Sequence, residues 1–155
     1  MKLITAAQLA GLSESALKSP RRRANLNLHA ELGDPIQRLA IAMAPDSYVR
    51  PHRHPNTWEL LTTLRGRFLG LHFDERGTVT ARTVLGEDSA SVETPANTYH
   101  SMLALDAAAV LLEVKHGPYL PINDFAPWSP AEGPGVPAFI EWMKRATVGA
   151  RWTAA

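Results

Sequence analysis

A chain of 155 residues that is 45% hydrophobic and 20% charged carries enough apolar material for the core of one ordinary domain, which excludes wholesale disorder. Sixteen Lys and Arg against fifteen Asp and Glu leave a formal charge of +1, so no overall field exists to hold nucleic acid or an anionic membrane. The absence of cysteine removes disulfides, thiolate metal sites and thiol nucleophiles, leaving His, carboxylate and hydroxyl groups to carry any chemistry.

No window approaches the ~18 uncharged apolar residues of a membrane span. Residues 1–18 lack a clear signal-cleavage pattern, so the expected location is the cytoplasm. Thr5 and Gln8 have the spacing of a capping box, and Leu9, Leu12, Ala16 and Leu17 continue a helical stripe that Pro20 stops. From Asn25 the period falls to two. Asn25, Asn27 and His29 alternate with Leu26 and Leu28, as in a strand with one polar face. Further strands are expected over residues 36–44, 48–54, 58–64, 68–73, 78–85, 89–94, 101–105 and 108–115. Turn chemistry at Asp34-Pro35, Pro45-Asp46, Arg65-Gly66, residues 74–77, Gly86 and Gly117-Pro118 separates most of them. Short strands at such close intervals imply a mainly β sandwich or closed barrel.

Beyond Lys115 the chain is rich in Pro and Gly, which predicts an extended arm over the barrel surface. Phe139, Ile140, Trp142 and Met143 then fall at helical spacing behind Pro137, so a terminal helix should pack its apolar stripe on the barrel or on a partner subunit. The expected organisation is one domain over 1–155: a short N-terminal helix in 1–19, a barrel over 20–116, and an arm with a C-terminal helix over 117–155.

Residues 51–66 read PHRHPNTWELLTTLRG. On a strand His52 and His54 point to one face and offer two imidazole nitrogens to a single ion at ~2.0–2.1 Å. Glu59 returns from the adjoining strand with a carboxylate, and Gly66 permits the next hairpin. A fourth ligand is His100, which Pro95 precedes at a spacing suited to a turn. Three neutral imidazoles and one carboxylate suit a divalent transition metal (Fe, Mn, Zn, Ni or Co) and leave positions open for water or substrate.

His52, His54, Glu59 and Gly66 match the first motif of the cupin superfamily, which this sequence resembles; Asp46 stands where the motif opens with Gly. Of the second motif Pro95 and His100 are kept, while Ser89, Asn97 and Ala104 occupy its other positions. Asn97 is able to take the left-handed angles that Gly would supply. More narrowly, SPRRRANLNLH at 19–29, YVRPHRHP at 48–55, FDERG at 73–77 and EVKHGPY at 113–119 look like the WbuC family of cupin-fold metalloproteins. The resemblance implies a cupin double-stranded β-helix, or jelly-roll barrel, with a bound divalent metal. The family name is tied to bacterial surface-polysaccharide clusters.

Strand parity from His52 and His54 carries Arg50 and Tyr48 inward as well, and sends Val49 and Arg53 the other way. Arg50 is then either a clamp for a substrate carboxylate or phosphate, or the partner of a local carboxylate. Glu113, inside an apolar run, is either a buried general acid or base or half of an ion pair with Lys115 or an Arg. Tyr99 should point away from His100 and rim the mouth. The Arg21, Arg22 and Arg23 run reads as a solvated face or as a phosphate trap, and Arg23, Asn25, Asn27 and His29 are candidates to line the opening. His72 and His116 lie outside the ligand spacing and are read as surface or strand-end histidines.

The leading functional expectation is a metal-dependent enzyme of isomerase, epimerase or oxygenase type. Its substrate would be a small polar molecule such as a sugar, sugar phosphate or nucleotide sugar, with Glu113 moving the proton. The alternative is a noncatalytic, metal-dependent binding protein. A homodimer is the expected assembly.

Overall fold

The computed structural model describes residues 1–121 and 124–153. The first element, α1 (Ala6–Lys18), is set by its cap. The Thr5 hydroxyl accepts the Gln8 backbone N–H (3.2 Å) and the Gln8 side chain accepts the Thr5 N–H (2.9 Å), so two otherwise orphaned donors are satisfied reciprocally. Ala16 is buried with Leu9 and Leu12 beside it, whereas Leu17 faces solvent. Thr5→Ala should lower stability by about 1 kcal/mol in urea titration, and an unchanged midpoint would deny the cap its role.

Among the described residues eight strands follow: β1 (Arg23–Asn27), β2 (Ile36–Met43), β3 (Glu59–Arg65), β4 (Phe68–Phe73), β5 (Val79–Leu85), β6 (Ser91–Thr94), β7 (Tyr99–Ala104) and β8 (Ala109–His116). They form a five-stranded sheet in the order β1-β2-β8-β3-β6 and a three-stranded sheet in the order β5-β4-β7, antiparallel throughout. Period-two alternation gives each sheet two unlike faces. On the larger sheet Ala24, Leu26, Ala40, Ala42 and Val110 pack under α1, where small side chains let the helix approach closely. The opposite face, with Leu61 and Leu111, meets Phe68, Leu85 and Met102 in the interior core.

The outer face of the smaller sheet presents Leu69, Leu71, Phe73, Tyr99 and Leu103 to the arm and to α2 (Val136–Arg145), whose Val136, Phe139, Ile140 and Met143 are buried there. The terminal stripe thus lies on its own barrel. Gly77 has φ +81, and a Cβ on it would stand 2.7 Å from the Trp128 ring, so glycine both makes that turn and admits the indole.

One strand expectation fails. Residues 48–54 form no strand, and only His52 makes bridges, to His100 on one side and to Phe125 on the other. The segment is held as a single-residue link between β7 and the arm, so its side chains do not keep strict alternation.

Candidate metal centre and chamber

His52 and His100 are locked face to face: the His52 N–H donates to the His100 carbonyl (3.1 Å) and the His100 N–H to that of His52 (2.9 Å). The next anchor is the Asn97 N–H, which donates to the His54 carbonyl at 2.8 Å; Asn97 has φ 60, the left-handed angle expected of it. The result is a cluster in which His52, His54 and His100 offer nitrogens that all lie within 4.8 Å of one another.

Backbone carbonyls fix two of the rings. His52 Nδ1–H donates to the Arg50 carbonyl and His100 Nδ1–H to the Thr98 carbonyl, both at 2.9 Å, which leaves each Nε2 with its lone pair. From β3, Glu59 completes the group with Oε2 3.1 Å from His100 Nε2 and Oε1 3.5 Å from His54 Nε2. Two lone pairs facing each other at 3.1 Å demand a positive charge between them, either a proton or a metal ion. His54 Nε2 is buried and has no hydrogen-bond partner. An orphaned imidazole nitrogen beside two tautomer-fixed rings and a carboxylate fits a divalent cation.

Electrostatics agree with that fit. Burial, reinforced by the charge of His100, pushes His52 down to about 3, so the ring is neutral and ready to ligate. For Glu59 burial acts upward, but the hydrogen bond from His100, the neighbouring His54 ring and the charges of His100 and Lys115 outweigh it and hold the carboxyl well below its usual range.

A chamber of about 510 Å³ opens between the sheets. It is lined by His52, Glu59 and His100, by Arg50, and by Arg23, Asn25, Asn27 and His29, with Leu39, Ile41, Met102 and Leu111 as apolar walls. Glu113 faces it from β8, buried there and paired with Lys115. Burial and the charge of Glu59 raise it to about 7, while Lys115 Nζ stands 2.7 Å from its Oε1. Lys115 also reaches Glu59 Oε1 at 3.3 Å. Sequence reasoning gave Lys115 only the pairing with Glu113 and missed its reach to Glu59, although it lies two residues from Glu113 on the same strand face.

Arg50 lines the chamber without a carboxylate partner among the described residues. Its Nε donates to Ser129 Oγ (3.1 Å), its Nη2 to the Ala126 and Ser129 carbonyls (3.3 Å each), and its guanidinium lies 5.1 Å from the Phe125 ring centre. These arm residues were not legible in advance, because only the path of the arm brings them to Arg50.

Tyr48 departs from expectation. It is buried outside the chamber, its ring edge-on to Phe139 and its hydroxyl donating to the Pro130 carbonyl at 2.8 Å, while Val49, expected to face away, lines the chamber. The irregular backbone of 48–54 is the reason. Burial pushes the Tyr48 phenol up to about 12. Tyr99 does point away from His100, but into the outer core beneath the Arg53 guanidinium, 4.5 Å from the ring centre, rather than to the mouth.

The arginine run divides three ways: Arg21 meets Glu132 at 3.6 Å, Arg22 pairs with Asp46, and Arg23 enters the chamber. His72 was expected at the surface or a strand end. It sits instead on β4 opposite His100, half-buried, with Nε2 3.0 Å from Thr94 Oγ1. His116 ends β8 against Trp58, ring centres 5.0 Å apart, as a strand-end histidine should.

Residues 4–85 match the family described as Domain of unknown function (DUF6016), which is more than half of the chain. The chain belongs to the DUF6016 family. No curated protein matches it. Among solved structures this DUF6016 member is similar to the TT1209 protein of Thermus thermophilus, with 17% identity over 75% of this chain and 97% of that one and a TM-score of 0.56. It is similar to an oxalate oxidase in complex with the substrate analogue glycolate, with 16% identity over 68% of this chain and 56% of that one and a TM-score of 0.53. A third likeness is to the Bacillus subtilis oxalate decarboxylase, described for its Mn(II) centres, with 15% identity over 66% of this chain and 27% of that one and a TM-score of 0.51. At such identities the likeness is one of fold, and the fold is that of the cupins.

Proposed function

We propose that this DUF6016 protein binds one divalent transition metal through His52, His54, His100 and Glu59, and is a metal-dependent enzyme acting on a small polar anion. The observation that carries the reading is the convergence of three imidazoles on Glu59 with His54 Nε2 buried and unpartnered. When bound, the metal would supply Lewis-acid polarisation of a substrate oxygen.

The chain's own residues have distinct tasks. Arg50, held rigid by the arm, orients an anionic group; Glu113 is the carboxyl that takes or gives a proton; the aliphatic walls exclude water from the reacting end. Charge supports an anion. With a divalent ion in place, the cations of the chamber (the metal, Arg23, Arg50 and Lys115) outnumber the charges of Glu59 and Glu113. The narrower reading as a WbuC-type protein of surface-polysaccharide metabolism, with a sugar-derived substrate, rests on the sequence motifs at 19–29, 48–55 and 113–119.

Glu113→Gln separates an enzyme from a binder. Protein purified without metal-affinity resin should keep its metal in this variant by elemental analysis, yet lose turnover of the substrate recovered from a screen of anionic metabolites. Turnover that survives the substitution removes Glu113 from the chemistry, and a metal-loaded protein that turns over none of them is a binding protein.

A further inference from the structure

The edge of the chamber formed by β1, three strands from Glu59, is polar, and beside Arg21 and Arg23 it carries uncharged groups. Asn25 and Asn27 of β1 line it, and His29 continues the same alternation two residues on. Pairing persists past the end of β1, because the Leu28 N–H donates to the Arg38 carbonyl at 2.8 Å.

His29 is only 6% exposed. Its Nδ1 stands 3.0 Å from both the N–H and the carbonyl of Arg38, so in either neutral tautomer this nitrogen is engaged by the backbone. Its Nε2 is buried and has no partner. An unsatisfied buried nitrogen costs about 1–3 kcal/mol, and such a group in the wall of a cavity calls for a ligand atom.

The chemistry of that atom follows from the tautomers. If Nδ1 accepts, Nε2 must donate; if Nδ1 donates, Nε2 must accept. A hydroxyl serves both. The neighbouring amides make the same demand: Asn25 Nδ2 donates to Asn27 Oδ1 at 2.6 Å, which leaves Asn27 Nδ2 as a donor and Asn25 Oδ1 as an acceptor. Three strand spacings separate β1 from β3, about 14 Å between the His29 backbone and that of Glu59.

We propose that Asn25, Asn27 and His29 form a hydroxyl-binding subsite for the far end of a polyhydroxylated carboxylate or phosphate whose charged end lies by Arg50 and the metal ligands. The inference rests on the chamber being an anion site, and it adds the part of the molecule that decides specificity.

Calorimetry on the metal-loaded protein tests it with glycolate, which is too short to reach β1, and with D-gluconate and D-glucose 6-phosphate. At least one longer anion should bind about tenfold tighter than glycolate, and its head group tells carboxylate from phosphate. Asn27→Ala and His29→Ala should each abolish most of that advantage and leave glycolate unchanged. Asn27 is exposed, so its variant keeps the test valid if the buried His29 variant fails to fold. In wild-type protein the imidazole nitrogen resonances of His29 should shift with the longer ligand only.

Failure takes two distinguishable forms. Glycolate binding with no gain for the longer anions, or a gain that survives Asn27→Ala, overturns the subsite alone. Absence of binding by all three overturns the anion site itself and the subsite with it.

Discussion

Protein carrying His52→Ala together with His54→Ala is expected to lose its stoichiometric metal while keeping its fold. Each imidazole removed takes a donor from a four-group set, and even altering a supporting hydrogen bond to a ligand costs about 10–100-fold, so the pair should weaken binding by well over a hundredfold. The barrel should survive, because this segment is held through backbone atoms that alanine retains: the bridge from His52 to His100 and the bond from the Asn97 N–H to the His54 carbonyl. Elemental analysis beside circular dichroism reads both quantities. One full equivalent of metal in the folded double variant would refute the ligand assignment, whatever became of activity.

The largest effect on stability is expected at Phe139. It is fully buried and packs against Tyr48, Trp142 and Trp152, with ring centres 6.0, 5.3 and 5.1 Å away. It therefore joins α2 to the smaller sheet, to the stretch preceding the metal ligands and to the chain after the helix. Phe139→Ala should cost about 3–5 kcal/mol, since these rings belong to separate elements and cannot close the cavity together. In urea this is a midpoint lower by about 2 M at a slope typical of a small domain. A loss below about 1 kcal/mol would mean that α2 contributes little to holding the barrel.

How much of this was readable beforehand depends on what each residue's signal encodes. The convergence of His52, His54, Glu59 and His100 was legible because their residue types and offsets match a metal-binding motif, and those offsets bring them together even though 48–54 is not a strand. Tyr48 was misplaced for that same reason: parity is a property of regular extended chain, and two single-residue bridges do not sustain it. The eight matching strands were fixed by alternation and turn residues, to within two residues at most ends.

Lys115 and the full extent of the polar wall were harder. A strand face carrying Arg23, Asn25 and Asn27, or Glu113 and Lys115, has the same pattern whether it meets bulk solvent or a ligand chamber. Pattern distinguishes polar from apolar faces. It does not distinguish outside from a wet inside, and only the order β1-β2-β8-β3-β6, which turns those faces toward the smaller sheet, decides the matter.

The bridges of His52 bear on self-association as well as on ligand geometry. The free side of β7 is bridged by His52, and His52 is bridged in turn by Phe125, with the Ala126 N–H donating to the Pro51 carbonyl at 2.9 Å and the Arg53 N–H to that of Asp124 at 3.1 Å. The proline-rich arm therefore blunts an exposed strand margin that would otherwise offer unpaired amides, and a row of histidines, to a neighbouring molecule. In this architecture the fastening that steadies the Arg50 guanidinium is also a guard against edge-to-edge aggregation.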